Sequence, residues 1–78
     1  MKATNYFLAT RVRPDRAILQ DDWIIRAVVQ PTYETRQADG RIRRWVQVEE
    51  AGDRWLRVVV LEDGETIHNA FFDRNFEP

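Results

Sequence analysis

The sequence predicts an α+β fold in which one or two N-terminal helices pack on a twisted antiparallel sheet of about four strands. A helical pattern of apolar residues ends at Pro31, and the period then changes to the alternation that is typical of strands. Asp39-Gly40 and Asp63-Gly64 divide the second part of the chain into hairpins, because Asp-Gly favours the tight turns that join antiparallel strands. The strands are therefore expected to form a β-meander.

Length and composition predict one small α+β domain over residues 1–78, with three Trp, two Tyr and four Phe available for its core. The absence of Cys excludes disulfides and thiolate zinc sites. One His and scattered carboxylates give no metal-ligand spacing, so we expect neither a metal nor a cofactor. No apolar run approaches the roughly 20 residues that span a bilayer, and the N-terminus has no signal-peptide core. We expect a cytoplasmic protein that does not contact membranes.

The N-terminal part contains one clear helical segment and one ambiguous segment. Residues 5–13 fit either a short helix capped by Thr4 or Asn5, or the start of a strand, and Pro14 then begins a turn. Asp21–Val29 is the clearest helix, with one Asp predicted at its N-cap and a second in its first turn. Its apolar residues cover a wider arc of the helix than the single stripe of a usual amphipathic helix. We therefore expect most of the helix circumference to be buried.

The closing hairpin sets the predicted register of the sheet. Strands are expected near residues 33–38, 41–48, 55–60 and 66–74. A two-residue turn at Asp63-Gly64 pairs Leu61 with Thr66. Counting outwards, the same turn gives the pairs Val59–His68, Arg57–Ala70 and Trp55–Phe72. His68 is then on one sheet face with Arg57, Trp55 and Phe72, while Leu56, Val58, Val60, Ile67 and Phe71 form an all-apolar face.

The turn near residues 50–53 decides which residues of the preceding strand share the His68 face. A two-residue turn brings Ile42, Arg44 and Val46 to that face. One extra loop residue brings Arg41, Arg43 and Trp45 instead. Matching of hydrophobic residues favours the second set, and it gathers the following residues on one face: Arg41, Arg43, Trp45, Arg57 and His68.

Charge is unevenly distributed along the chain. The net charge of −1 and the pI of about 5.8 argue against nucleic-acid binding through bulk charge. Residues 1–44 carry nine basic and five acidic residues (+4), and residues 45–78 carry three and eight (−5), which add to −1. Eleven of the twelve basic residues are Arg, whose planar fork suits carboxylates and phosphates. Both pairing between the two parts and a ligand site fit this distribution.

The order of several short sequence motifs is similar to that of a known family. These motifs are Arg16–Leu19, the short apolar helix that ends at Pro31, Asp39–Trp45, the strand Trp55–Val60 and the closing strand Thr66–Arg74. The chain resembles small uncharacterised bacterial domains that are placed beside the RelE/ParE/BrnT toxin superfamily. The resemblance implies a RelE-like fold, with two helices on a twisted antiparallel sheet of about four strands.

The resemblance also implies a function and a site. In RelE-like ribonuclease toxins, basic and aromatic or His residues on the sheet face bind RNA and promote attack by its own 2′-hydroxyl. On this chain the catalytic roles would fall to His68 and Arg57, without a metal, and nucleic-acid binding to Arg41, Arg43 and Trp45. His68 is the only side chain whose usual pKa, about 6.5, is close to neutrality.

Two functional hypotheses follow from the sequence. The first is an RNA-binding or RNA-cleaving module of a toxin–antitoxin system, whose partner is RNA or an acidic, antitoxin-like protein. The second is a non-catalytic protein-interaction or self-associating domain, monomeric or weakly dimeric, that uses the mixed face or an edge strand. Two structural alternatives stay open as well: His68 covers the sheet and bonds a neighbour, and the Arg41–Trp45 run pairs with Glu49, Glu50 or Glu62.

Overall fold

The computed structural model describes residues 1–78 and shows three short helices followed by a four-stranded antiparallel sheet. The strands pair in the order β1-β2-β3-β4, so the predicted α+β class and the β-meander are confirmed. None of the helices has the length and apolar character that crossing a membrane requires. The elements are α1 (Asn5–Thr10), α2 (Pro14–Ala17), α3 (Asp21–Val29), β1 (Tyr33–Arg36), β2 (Ile42–Val48), β3 (Arg54–Val60) and β4 (Ile67–Phe72), with a 3-10 turn at Glu49–Ala51.

The first ambiguous segment is a helix capped by Thr4. The Thr4 hydroxyl accepts a hydrogen bond from the backbone N–H of Phe7 at 3.1 Å, which satisfies a donor that the first helical turn leaves free. The strand alternative is therefore wrong. The turn predicted at Pro14 is also wrong, because Pro14 begins α2. A proline at the first helical position costs no hydrogen bond, because the N–H at that position has no partner within the helix. The fixed φ of proline also matches the helical value.

The bounds of α3 agree with the prediction, but its burial does not. Its N-cap is the residue before Asp21, so Asp21 and Asp22 both lie in the first turn, near the positive end of the helix. Only Ile24 and Ala27 are buried, and Val29 is 76% exposed. The expectation that most of the helix circumference is buried is wrong. One side of α3 packs on β2 and β3, and no element covers the other side.

One hydrophobic cluster lies between the helices and the sheet. The sheet contributes the alternate residues of its strands that point toward α3, as expected for a half-buried antiparallel sheet. Phe7 and Leu19 close the cluster from the helical side. Its buried members are Phe7, Leu19, Ile24, Ala27, Ile42, Val46, Val48, Leu56, Val58, Val60, Ile67 and Ala70.

The connection between β3 and β4 begins one residue earlier than predicted. The N–H of Gly64 donates to the Leu61 carbonyl, so Glu62 and Asp63 are the central residues of a β-turn, and Gly64 follows with φ of +75°. The predicted pairing of Leu61 with Thr66 is nevertheless confirmed, because the Leu61 N–H donates to the Thr66 carbonyl at 2.9 Å.

A β-bulge changes the register farther from that turn. Val60 pairs with Ile67, but Val59 pairs with Asn69, so His68 is an extra residue in β4. The predicted pair Val59–His68 is therefore wrong, and every pair beyond it is shifted by one residue.

The shift exchanges the faces of three residues in β4. Arg57 pairs with Phe71 rather than with Ala70, and Phe72 pairs with Leu56 rather than with Trp55. Ala70 and Phe72 consequently point toward the helices, where Ala70 is 1% exposed, and Phe71 lies on the opposite face. The predicted register assigned these three side chains to the wrong faces, because it assumed strict alternation along β4 without an extra residue.

The pairing of β2 with β3 confirms the face that hydrophobic matching favoured. Trp45 lies opposite Arg57, and Arg43 lies opposite Val59. The loop between these strands spans residues 49–53 and ends with Asp53 at a φ of +62°. This loop sets the parity that brings Arg43 and Trp45 to the same side as Arg57.

Truncating the core side chain of Leu56 should destabilise the fold strongly. Leu56 is 0% exposed, so Leu56→Ala removes buried methyl groups and leaves a cavity, at a cost of about 2–5 kcal/mol in the free energy of unfolding. Val29→Ala is the matched control and should change that free energy by less than about 0.5 kcal/mol, because Val29 is exposed. Urea unfolding of the two variants measures the difference, and equal losses would contradict the described core.

Candidate functional site on the open sheet face

The sheet face opposite α3, called the open face below, carries all five residues that the sequence singled out. Three of them, Arg41, Arg57 and His68, line one cleft of about 330 Å³. Arg43 lies beside this cleft, and Trp45 lies away from it under the segment that follows β4. The other residues that line the cleft are Tyr6, Gln37, Val59, Asn69 and Phe71.

Arg57 is the central cation of the open face. Its side chain is 22% exposed, and Nη1 lies 3.7 Å from a carboxylate oxygen of Asp73. Its Nε is buried without a hydrogen-bond partner. Burial and, secondarily, the charge of Arg43 lower the pKa of Arg57 below the usual value for a guanidinium, while Asp73 opposes the shift. The guanidinium stays protonated at neutral pH, and its one ion pair leaves capacity for a further anion.

Phe71 is held between two arginines. The guanidinium carbons of Arg57 and Arg16 lie 5.2 and 5.3 Å from its ring centroid, which is within cation–π range. Arg16 comes from α2 and is fixed by a 2.7 Å hydrogen bond to the Asn69 side chain and by Asp15 at 3.4 Å. The sequence did not identify Arg16 as part of this face, since its position depends on α2, which was predicted as a turn.

His68 is placed in the cleft by the β-bulge. Its Nδ1 lies 3.1 Å from the Thr4 hydroxyl, and its ring stacks on Tyr6 with centroids 4.9 Å apart. Burial first, and then the charge of Arg41, lowers the pKa of His68 below 6.5, with Asp39 opposing. The imidazole is therefore mainly neutral at pH 7. A neutral ring can accept a proton, and it also fits the structural alternative of a histidine that bonds a neighbour.

Arg41 and Arg43 add positive charge at one side of the cleft. Arg41 has Asp39 as its nearest carboxylate, at 3.6 Å. Arg43 forms no ion pair. With the Gln37 amide in the orientation that satisfies both groups, the Gln37 oxygen accepts from Arg43 Nη2 at 3.1 Å and Nε at 3.2 Å. Gln37 thus connects Arg43 to the cleft.

The alternative pairing of this arginine run with Glu49, Glu50 or Glu62 does not occur. Arg44 instead lies on the helix side of the sheet, where its Nε donates to Glu34 at 2.6 Å. The run from Arg41 to Trp45 therefore divides between the two faces, and only its alternate members reach the open face.

Trp45 is covered by the segment that follows β4. The ring of Phe76 stacks on its indole with centroids 4.6 Å apart and an interplanar angle of 16°. The indole N–H donates to Asp73 at 3.1 Å, and Trp45 is only 5% exposed. Tyr33 and Trp55 complete an aromatic cluster around Phe76, at centroid distances of 5.5 and 5.2 Å. Trp45 cannot stack on a ligand while Phe76 is in place.

Arg41, Arg43 and Arg57 place guanidinium groups, which are hydrogen-bond donors without an acceptor, on the open face. No group of three or more His, Asp or Glu side chains is arranged to hold a metal ion.

A scan of protein-family models and searches of curated proteins and of solved structures gave no match. The resemblance to RelE-like proteins therefore stays a prediction.

Removing the charge of Arg41 should raise the pKa of His68. Arg41→Gln removes the nearby positive charge, but burial remains, so the pKa should rise while staying below 6.5. Asp39→Asn should lower it further, because Asp39 favours the protonated ring. An NMR titration of the imidazole resonances measures both shifts, with Arg26→Gln on α3 as the control. Equal pKa values in all four proteins would contradict the described surroundings of His68.

The lowered pKa also fixes how His68 affects stability. Its folded-state pKa lies below the unfolded value near 6.5, so the folded state binds fewer protons between the two values. The contribution of the neutral ring to stability is present above about pH 6.5 and decreases as the pH falls through the folded-state pKa.

Proposed function

We propose that the open face binds single-stranded RNA by contacting a backbone phosphate in the cleft. The observation that carries this proposal is the convergence of Arg41 and Arg57 on one cleft with His68, next to Arg43 without a carboxylate partner. Guanidinium groups donate paired hydrogen bonds that match phosphate oxygens, and partial burial strengthens such contacts.

The local charge of the face supports anion binding although the whole chain is slightly acidic. Arg16, Arg41, Arg43 and Arg57 face the carboxylates of Asp15, Asp39 and Asp73, which leaves an excess of one positive charge (four minus three). This small excess predicts binding that rests on few phosphate contacts and weakens as salt is added.

His68 and Arg57 supply the two groups that metal-independent RNA cleavage requires. The neutral imidazole accepts the proton of a ribose 2′-hydroxyl as its oxygen attacks the adjacent phosphorus. Arg57 stabilises the negative charge that develops on the phosphate oxygens. The bond from phosphorus to the 5′-oxygen breaks, and that oxygen takes a proton from water. This chemistry fits the toxin–antitoxin context that the RelE-like resemblance implies.

The second candidate function is non-catalytic binding of an acidic protein segment to the same face. The burial of Trp45 favours it, because nonspecific single-strand binding usually combines phosphate contacts with exposed aromatic rings on which bases stack. An acidic segment needs only the arginines. An antitoxin-like partner would have this chemistry.

Titration with single-stranded RNA at two salt concentrations tests the first candidate. Wild-type amide resonances around the cleft should shift on RNA addition, and less at the higher salt. Arg41→Gln and Arg43→Gln should each weaken binding and reduce the slope of log affinity against log salt by about one, as expected for one lost phosphate contact. Arg26→Gln removes the same charge from α3 and should bind like the wild type.

The outcome also separates the two candidates. Shifts confined to the cleft that need more RNA to reach saturation in the Arg43→Gln variant than in the wild type support RNA binding. If RNA causes no shift while a poly-glutamate peptide does, the acidic-partner function holds and the RNA proposal fails. If Arg26→Gln weakens RNA binding as much as Arg43→Gln does, the open face is not the binding site.

Expression in bacterial cells tests the cleavage step. Wild-type protein should arrest growth when produced without a partner, and His68→Ala should relieve the arrest, since the proton acceptor is lost. Arg26→Gln should remain as toxic as the wild type. Circular dichroism of purified His68→Ala confirms that the variant is folded. Abundant wild-type protein without growth arrest would remove the toxin function while leaving RNA binding to its own test.

A further inference from the structure

The two edges of the sheet are protected differently. At the β4 edge, the N-terminal segment pairs with Ile67: Thr4 N–H donates to the Ile67 carbonyl, and Ile67 N–H donates to the Lys2 carbonyl, both at 2.9 Å. Helix α1 packs along the same strand. All four residues of β1 are exposed, and no element pairs with its outer side. An uncovered edge is a ready template for another strand.

The register of the first hairpin determines which backbone groups of β1 point outward. Gln37 N–H donates to the Arg41 carbonyl at 2.7 Å, inside the hairpin. Hydrogen-bonding direction alternates along an antiparallel strand, so Thr35 and Tyr33 also direct their backbone groups toward β2. The N–H and C=O groups of Glu34 and Arg36 therefore point away from the sheet.

We propose that β1 pairs antiparallel with β1 of a second copy of this chain, about a two-fold axis at Thr35. In this register Glu34 of each copy lies opposite Arg36 of the other, and each such pair exchanges both backbone hydrogen bonds. The partner is a second copy because the strand is complementary to itself, as a two-fold interface requires.

Charge selects this register among those that the backbone allows. The outward-pointing residues can also align Glu34 with Glu34, or Arg36 with Arg36, across the axis. Both of those registers place like charges directly opposite, which destabilises a strand pair, whereas the Thr35-centred register gives two opposite-charge pairs.

The side chains of β1 are free to make these contacts. Arg36 forms no ion pair within its own chain, and its guanidinium makes only a 3.3 Å hydrogen bond to the Gly40 carbonyl. Glu34 accepts from Arg44 through Oε1, and its second oxygen has no hydrogen-bond partner. A carboxylate can serve two arginines in this way. Both side chains lie on the helix side of the sheet, so these two charge pairs do not use the arginines of the open-face cleft or depend on its function.

Charge reversal at the two positions tests the pairing. Sedimentation velocity from micromolar to millimolar concentration should show a weak dimer for the wild type. Arg36→Glu and Glu34→Arg should each weaken it by roughly tenfold or more, since each places like charges across the axis twice. An equimolar mixture of the two variants should associate again, because every cross-strand pair is then complementary. Arg26→Glu on α3 makes the same charge change as Arg36→Glu and should dimerise like the wild type.

A backbone variant keeps the test decisive if Glu34→Arg does not fold beside Arg44. Arg36→Pro removes an outward-pointing N–H together with the Arg36 guanidinium, at a position where edge strands tolerate proline, and it should also leave the protein monomeric. A wild type that remains monomeric at millimolar concentration overturns the proposal. So does a dimer that persists in both Arg36→Glu and Arg36→Pro, since it would have to use another surface.

Discussion

The extra residue in β4 is the constraint on which the open face depends. Ile67 and Ala70 are both buried against the helices although they are three positions apart, which an unbroken strand does not allow. The bulge at His68 resolves this conflict. It also turns Phe71 outward, between Arg16 and Arg57, and holds the imidazole above the sheet next to Tyr6. Burial of the core thus determines which side chains form the cleft.

The segment after β4 controls the other half of the open face. Asp73 binds the indole of Trp45 and lies close to Arg57, so one carboxylate connects the aromatic cluster with the central cation. Phe76 excludes solvent from Trp45 by stacking on it. An anion that approaches Arg57 therefore competes with a nearby carboxylate. Among the arginines of the proposed binding face, Arg43 is the one whose charge no carboxylate offsets, because Arg41 has Asp39 and Arg57 has Asp73 within 4 Å.

Most features set by local sequence were predictable, although the helix that begins at Pro14 was missed, and the features set by long-range packing were not predictable. The bounds of α3, the meander and the face of Arg43 and Trp45 follow from periodicity, turn residues and hydrophobic matching. A bulge adds a single residue and here has no glycine to mark it, so the register beyond Val60 was missed. The cover over Trp45 was missed because Phe76 lies far from it in the chain and reaches it only in the folded protein.

The two proposed surfaces are compatible because they use different sides and edges of one sheet. A two-fold axis at Thr35 stands perpendicular to the sheet, so pairing at β1 joins two four-stranded sheets and leaves both open faces on the same side. The proposed interface would pair equal numbers of positive and negative side chains, so it would leave the charge of each cleft unchanged. A polyanion that spans both clefts would then bind with higher affinity, because binding to the first cleft raises its effective concentration at the second. No single contact needs to be stronger. Edge pairing would thereby compensate for the small charge excess of one open face.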